Sequence, residues 1–171
     1  MTIIDDAPRV TSPDAADAAI AFRDLGLPAA IVHRLESQGK HTAFPIQAAV
    51  IPDALAGRDV AGRAPTGSGK TLAFGIPLVT LVERGKPGYP RALVLAPTRE
   101  LADQICRELD AVAAPRRLRT LAVYGGVGYD AQRRALRRGV DVLVACPGRL
   151  ADLVGQGAVR LGEVDRVVVD E

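Results

Sequence analysis

Several residue types and patterns are scarce in this 171-residue sequence, and their scarcity excludes whole classes of protein. There are only two cysteines, Cys106 and Cys146, which cannot build a disulfide framework and do not form a CxxC pair. The two histidines, His33 and His41, belong to no recognisable metal-ligand pattern and are interpreted as ordinary polar residues. The sequence therefore indicates neither a disulfide scaffold nor a zinc site.

Long apolar runs are also missing. No run approaches the roughly 18 residues that a membrane-spanning helix needs. The first ten residues, MTIIDDAPRV, are acidic and lack the apolar core of a signal peptide. We therefore expect a cytoplasmic protein without a membrane partner.

The formal charge of +2 says little about partners, but its distribution is uneven. Between positions 116 and 138 there are seven arginines and one acidic residue, Asp130. By contrast, four aspartates make the first 17 residues acidic. An arginine-rich stretch can be a nucleic-acid contact or simply a solvated helix face. Both interpretations of this stretch stay open on the sequence alone.

The remaining sequence alternates between two patterns. Short apolar runs without polar alternation are typical of parallel strands buried on both faces; they are DVAGRA, ALVLAP, TLAVYGG, DVLVACP and RVVVDE. Segments with helical spacing separate them: KTLAFGIPLVTLVER, RELADQICRELDAVA and YDAQRRALRR. Two further helices are predicted at residues 28–38 and 44–56. This pattern predicts an α/β fold, a parallel sheet with helices on both faces.

The stretch APTGSGKT, residues 64–71, follows an apolar run and opens a helix. Glycines at 67 and 69 let the backbone turn its N–H groups inward, and the helix N-terminus adds partial positive charge. Lys70 can contact the β- and γ-phosphates of a nucleotide, and the Thr71 hydroxyl can bind Mg²⁺. The pattern predicts a phosphate-binding loop, or P-loop.

Such a loop needs an acid at the end of another strand. RVVVDE, residues 166–171, supplies Asp170 for the metal and Glu171 to orient the attacking water. A nucleotide phosphate and Mg²⁺ are thus the predicted ligands, with Lys70 and Glu171 as the predicted catalytic residues.

The intervening motifs narrow the class of P-loop protein. PTRELADQ, YGG and CPGRL follow the second, third and fourth apolar runs, and the chain ends on DE. In this order the chain resembles the first RecA-like domain of DEAD-box RNA helicases, over about residues 20–171. A P-loop kinase or a transporter ATPase is disfavoured, because neither carries PTRELA with PGR. The resemblance implies an ATP-dependent RNA helicase, an enzyme that couples ATP hydrolysis to sequence-independent RNA binding and duplex unwinding.

The same resemblance implies a set of binding residues. Phe22 would stack on adenine, and the Gln47 amide would read the adenine edge; without the resemblance, Gln47 is better interpreted as an exposed helix residue. The implied nucleotide-binding residues are Phe22, Gln47, Ala64, Thr66, Gly67, Ser68, Gly69, Lys70 and Thr71. The implied RNA-backbone residues are Pro97, Thr98, Arg99, Gly125, Gly126, Pro147, Gly148 and Arg149. For Arg99 and Arg149, a role as solvated helix-start residues stays equally open.

Four positions depart from the family pattern. Pro65 stands where the family usually has Gln, and Cys146 replaces the threonine of TPGR. Phe44 stands where Thr or Ser is usual, and Lys40 where an aromatic residue often follows the glycine.

The family motif continues with Ala and Asp after DE, and a second RecA-like domain follows. We therefore expect a monomer made of a loose tail at 1–20 and a first RecA-like domain at 21–171 that is incomplete at its C-terminus, lacks its second domain and exposes a sheet edge. Two functional hypotheses remain. The chain belongs to the motor of an RNA helicase, or it acts alone as a weak nucleotide- or RNA-binding module with ATP turnover near background.

Overall fold

A computed structural model describes residues 20–170. The chain divides into two compact units, Met1–Thr80 and Leu81–Glu171. Most of the predicted tail, and Glu171, lie outside the described residues, so these two predictions stay untested.

The first unit is helical. Its elements are a 3₁₀ helix at Phe22–Leu25, then α1 at Ala29–Ser37, α2 at Pro45–Leu55 and α3 at Lys70–Leu81. Proline starts α2, where its missing N–H costs nothing because the first helical N–H groups have no partner within the helix. The helices predicted at 28–38, 44–56 and from Lys70 onward are confirmed.

The predicted strand DVAGRA is wrong. Residues 58–65 adopt neither helix nor strand. A strand exists only where its N–H and C=O groups pair with a neighbour. Among the described residues, all strand pairs are formed within the four-stranded sheet of the second unit. An apolar run with strand propensity therefore stays irregular here because no partner strand is paired with it.

The second unit is built on a four-stranded parallel sheet. Its strands are β1 at Ala92–Leu95, β2 at Thr120–Val123, β3 at Val142–Ala145 and β4 at Arg166–Val169, in the order β2-β3-β1-β4. Every neighbouring pair is parallel. β1 and β3 are largely buried, as their unbroken apolar sequences predict. The predicted α/β fold with a parallel sheet is confirmed.

Three helices connect the strands: α4 at Arg99–Ala113, α5 at Tyr129–Arg138 and α6 at Pro147–Gly155. A 3₁₀ turn, Ala114–Arg116, extends α4. The first two helices were predicted, whereas α6 was treated only as a motif. Its signals were proline at the first helical position and apolar residues at Leu150 and Leu153, both buried in the core of this unit.

The parallel register decides where the motifs lie. Ala92 is level with Val142 and Arg166, and the strands stay in step to Leu95, Ala145 and Val169. The segments that follow the strands therefore start from one edge of the sheet, here called the carboxyl edge.

Strand β4 lies at one end of the sheet. Val167 is 60% exposed and Val169 is 70% exposed, as expected of an edge strand with apolar side chains. Within residues 20–170, no helix has the length and apolar character to cross a membrane.

Asp141 is a buried carboxylate that organises the other edge of this sheet. It is fully buried, and its two oxygens accept from the backbone N–H groups of Gly85, at 2.7 Å, and Arg119, at 2.6 Å. Its carbonyl accepts from the N–H groups of Arg91 and Ala92. One residue thus joins the segments that lead into β1, β2 and β3.

Replacing Asp141 with alanine should lower the free energy of unfolding by about 2–4 kcal/mol, since two part-buried backbone N–H groups lose their acceptor and a donor left unpaired away from water costs about 1–3 kcal/mol. Urea unfolding at constant m-value measures this. Asp59→Ala, at an exposed position, is the matched control and should change stability little. Equal effects of the two substitutions would contradict the assignment.

Candidate nucleotide and nucleic-acid sites

The P-loop lies in the first unit, between α2 and α3. Gly67 and Gly69 have φ angles of 82° and 83°, in the left-handed region that favours glycine. The Lys70 ammonium donates to the carbonyls of Ala64, at 2.7 Å, and Pro65, at 3.2 Å. The loop therefore curls around the Lys70 ammonium, the group that the sequence predicts to contact nucleotide phosphates.

Gln47 ties α2 to this loop. Its side chain is 2% exposed, and its Nε2 donates to the Gly69 carbonyl at 3.0 Å. Its Oε1 accepts from the Phe44 N–H at 2.9 Å. An amide has two N–H donors and two acceptor lone pairs, so one of each remains for the predicted contact with adenine.

Gly69 is also required by space. A Cβ atom there would lie 2.3 Å from Gln47 Nε2 and 2.8 Å from the Phe44 ring. Any side chain would push the glutamine away from the loop, in addition to the strain of its positive φ. The glycine thus permits the close approach of α2 to the P-loop.

The loop contains donors suited to an anion. The Ser68 hydroxyl oxygen is buried and has no hydrogen-bond partner among the described residues. The 12-residue helix α3 begins at Lys70, and its first N–H groups have no intrahelical acceptor. An unpartnered hydroxyl, a helix N-terminus and an ammonium form a donor set that fits phosphate oxygens.

Phe22 lies in the 3₁₀ helix of the first unit and is 1% exposed. Its N–H donates to the His41 carbonyl at 3.2 Å, which ties it to the segment that leads to α2. The ring is therefore a core residue in this structure, and its predicted stacking on adenine stays a prediction.

The second unit brings the predicted RNA residues together. Those after β1 are Pro97, Thr98 and Arg99, those after β2 are Gly125 and Gly126, and those after β3 are Pro147, Gly148 and Arg149. All follow neighbouring parallel strands at the carboxyl edge, and all except Arg149 are exposed. The Arg99 guanidinium lies 3.9 Å from the position of a Cβ on Gly126, so the first two groups are adjacent.

Arg149 is placed differently from its neighbours. It is 7% exposed, and it donates to Gln132 Oε1 at 3.0 Å and to the Val127 carbonyl at 2.9 Å. Its guanidinium stacks over the Tyr129 ring at 4.0 Å. Gln132 in turn donates to the Tyr124 carbonyl at 3.1 Å. Arg149 therefore braces the glycine-rich segment, and its predicted phosphate contact stays a prediction.

Sequence reasoning missed Gln132 and Tyr129 as partners of this brace. Gln132 is buried at 6% exposure in a helix that is otherwise strongly charged. The position of Gln132 on the apolar face of an amphipathic helix could have indicated a buried polar contact. The sequence alone could not identify Arg149, in α6, as the partner in that contact.

Asp170 follows β4, and its N–H continues the ladder by donating to the Leu95 carbonyl at 3.0 Å. It therefore lies at the carboxyl edge, next to the end of β1. Its role as a Mg²⁺ ligand, like that of Thr71 in the first unit, stays a prediction.

Two of the departures from the family pattern lie at helix N-cap positions. Thr98 caps α4 by accepting from the Leu101 N–H at 3.2 Å. Phe44 and Cys146 occupy the same cap position in α2 and α6, and neither side chain makes a cap hydrogen bond. Both stand where the resemblance leads one to expect a hydroxyl. α2 and α6 therefore begin without a side-chain acceptor at the N-cap position.

The cysteines are free thiols. Burial raises the pKa of Cys146, and the nearby carboxylates of Glu100 and Asp103 raise it further. Burial is also the main cause of the raised pKa of Cys106. Both thiols stay protonated near neutral pH, and so neither is an activated nucleophile.

Comparison with known proteins assigns the fold and site to a class. The family described as DEAD/DEAH box helicase matches residues 44–171. The match covers more than half of the sequence, and the chain belongs to this family.

Curated relatives and solved structures agree with this assignment. A chloroplastic DEAD-box ATP-dependent RNA helicase 3B of Zea mays is 50% identical over 161 residues, covering 89% of this chain and 21% of the relative. The DEAD-box ATP-dependent RNA helicase CshA of Bacillus cereus is 44% identical over 150 residues, which cover 88% of this chain and 28% of the relative. The chain thus spans between about a fifth and somewhat more than a quarter of the length of these curated relatives.

Two crystal structures have the same fold. A DEAD box protein from the hyperthermophile Methanococcus jannaschii superimposes with a TM-score of 0.82 at 33% identity, covering 89% of this chain and 41% of that one. The RNA-helicase Prp28 from Chaetomium thermophilum, bound to ADP, superimposes with a TM-score of 0.82 at 37% identity. The match covers 93% of this chain and 40% of that one. The predicted RecA-like fold is confirmed.

Restoring a cap should stabilise the chain. Phe44→Ser and Cys146→Ser should each raise the free energy of unfolding by about 1 kcal/mol, because a hydroxyl at this position satisfies a free helix N–H. Urea unfolding measures the change, with Phe44→Ala and Cys146→Ala as controls that remove the same side chain without adding an acceptor. Equal stability of the serine and alanine variants would disprove the capping explanation.

Arg149→Lys keeps the charge but loses the forked donor geometry. We expect faster amide hydrogen exchange at residues 124–132 in this variant, since two of the contacts that hold the segment are lost. Arg134→Ala, at an exposed position of α5, should leave exchange unchanged. Unchanged protection in Arg149→Lys would show that the brace is not needed.

Proposed function

We propose that this chain binds ATP with Mg²⁺ at its P-loop and an RNA backbone along its carboxyl edge, as part of the motor of an ATP-dependent RNA helicase. The family is one of ATP-dependent RNA helicases, which are enzymes that bind RNA and use ATP. The observation that carries the proposal is the set of donors in the P-loop. The Lys70 ammonium bonds the loop carbonyl of Ala64, and the Ser68 hydroxyl has no hydrogen-bond partner among the described residues.

The chain's own residues hold the nucleotide as follows. Lys70 gives up its bonds to two neutral carbonyls and donates to phosphate oxygens, which form stronger, charge-assisted bonds. Ser68 donates its free hydroxyl, and the N–H groups at the start of α3 complete the cradle. Mg²⁺, when bound, would neutralise phosphate charge, and the Thr71 hydroxyl next to Lys70 would hold it. The assignment of Asp170 to the same ion rests on the sequence alone.

Selection of adenine falls to Gln47. Its remaining donor and acceptor match the N7 and N6 amine of adenine, and guanine offers an acceptor in place of that amine. A mismatch of this kind costs about 1–3 kcal/mol. Gln47 is well suited to this task because its two existing bonds fix its orientation.

RNA binding rests on the exposed groups of the carboxyl edge. Arg99 and the backbone N–H groups of the glycine-rich segment and of the start of α6 are donors without base preference, which is what sequence-independent contact with phosphates requires. Arg149 supports this surface by holding the segment after β2 in place.

The test is nucleotide binding and turnover by the chain. Lys70→Ala should abolish ATP binding measured by calorimetry, whereas Lys86→Ala, which removes an exposed lysine paired with Glu163, should not. Unchanged ATP affinity in Lys70→Ala would refute the P-loop assignment.

An ATPase assay with and without single-stranded RNA separates the two functional hypotheses. Turnover that RNA accelerates supports a helicase motor. Binding of ATP and RNA without turnover supports a binding module instead.

A further inference from the structure

A second concave site lies in the second unit, away from the carboxyl edge. It is a cavity of about 590 Å³, here called the arginine pocket, and its lining includes Arg133, Arg137, Arg160, Tyr89, Gln156 and Gly157. Its size is within the range of about 300–1,000 Å³ that small-ligand sites occupy. We propose that the arginine pocket binds phosphate groups, supplied by an RNA strand or by a free oligophosphate.

The location of the pocket separates it from the proposed nucleotide and RNA sites. Tyr89 precedes β1, whereas Gln156 and Gly157 follow the end of α6. Helices that start at the carboxyl edge end near the opposite edge, so the pocket lies on the amino side of the sheet. It contains none of the family motif residues, and the inference therefore stands independently of the proposed function.

The charge of the pocket is not neutralised. Three arginines and no carboxylate line it. Among residues 20–170, none of these arginines forms an ion pair within 4.0 Å. Three guanidinium groups in one concavity create a field that attracts anions.

Neutral partners hold two of the three guanidinium groups. Arg133 donates to Gln156 Oε1, and Arg160 donates to the Tyr89 hydroxyl while lying 5.5 Å from the centre of that ring. These bonds fix the side chains without cancelling their charge. A site arranged in this way loses less conformational entropy when a ligand binds.

Arg137 is the third cation, one turn along α5 from Arg133, and its side chain has no hydrogen bond or ion pair within the part of the chain that the structure describes. Its charge in the last turn of α5 also complements the helix dipole. That explanation covers neither Arg160, which lies outside α5, nor Arg133, near the middle of the helix. A phosphate ligand accounts for all three, because a guanidinium fork matches phosphate oxygens.

The experiment uses the full chain carrying Lys70→Ala, so that the P-loop does not bind the probe. Inorganic tripolyphosphate and a ten-nucleotide single-stranded RNA are titrated separately. Adding Arg137→Gln should weaken binding of at least one probe by roughly tenfold, the value of one charge-assisted hydrogen bond. Arg134→Gln, three residues before Arg137 in the same helix and outside the lining, is the matched control.

The two probes identify the source of the phosphate. Loss of tripolyphosphate affinity alone assigns a free oligophosphate, and loss of RNA affinity alone assigns the RNA backbone. The proposal is overturned if Arg137→Gln and Arg134→Gln behave alike with both probes. It is also overturned if a polyglutamate peptide binds as tightly and with the same dependence on Arg137, since the pocket would then recognise carboxylates.

Discussion

The parallel pairing of β2 with β3, of β3 with β1 and of β1 with β4 is the constraint on which the second unit depends. Because these strands run in step, the segments that follow them emerge at one edge. Three sequence motifs separated by some 20–30 residues each thereby meet on one surface. Asp141 fixes the other edge by accepting from the segments that lead into the strands. A slip of one residue would move each strand's side chains to the opposite face of the sheet and put the motifs out of step with one another.

In the first unit, the equivalent constraint is the approach of α2 to the P-loop. Gln47 bonds the Gly69 carbonyl, and only glycine leaves room for this contact. Gln47, which the family resemblance assigns to adenine recognition, thus also holds the P-loop in place. Base recognition and phosphate binding depend on one side chain, so a substitution at Gln47 should disturb both.

The sequence predicted most of the fold because parallel strands and amphipathic helices carry strong local patterns. It failed for residues 58–65, where an apolar run has no partner strand, since pairing is not a local property. It could not foresee that Arg149 would be buried against Tyr129, because the two belong to different helices. The uncapped starts of α2 and α6 follow from Phe44 and Cys146, but only the structure identifies these positions as caps.

The central claim is that the P-loop and Gln47 form an ATP-selective site. Calorimetric titration of the chain with ATP and with GTP, both in the presence of Mg²⁺, tests it most directly. We expect ATP to bind about ten- to a hundredfold more tightly than GTP, which corresponds to the cost of one mismatched hydrogen bond. Equal affinities, or no binding of either nucleotide, would contradict the account.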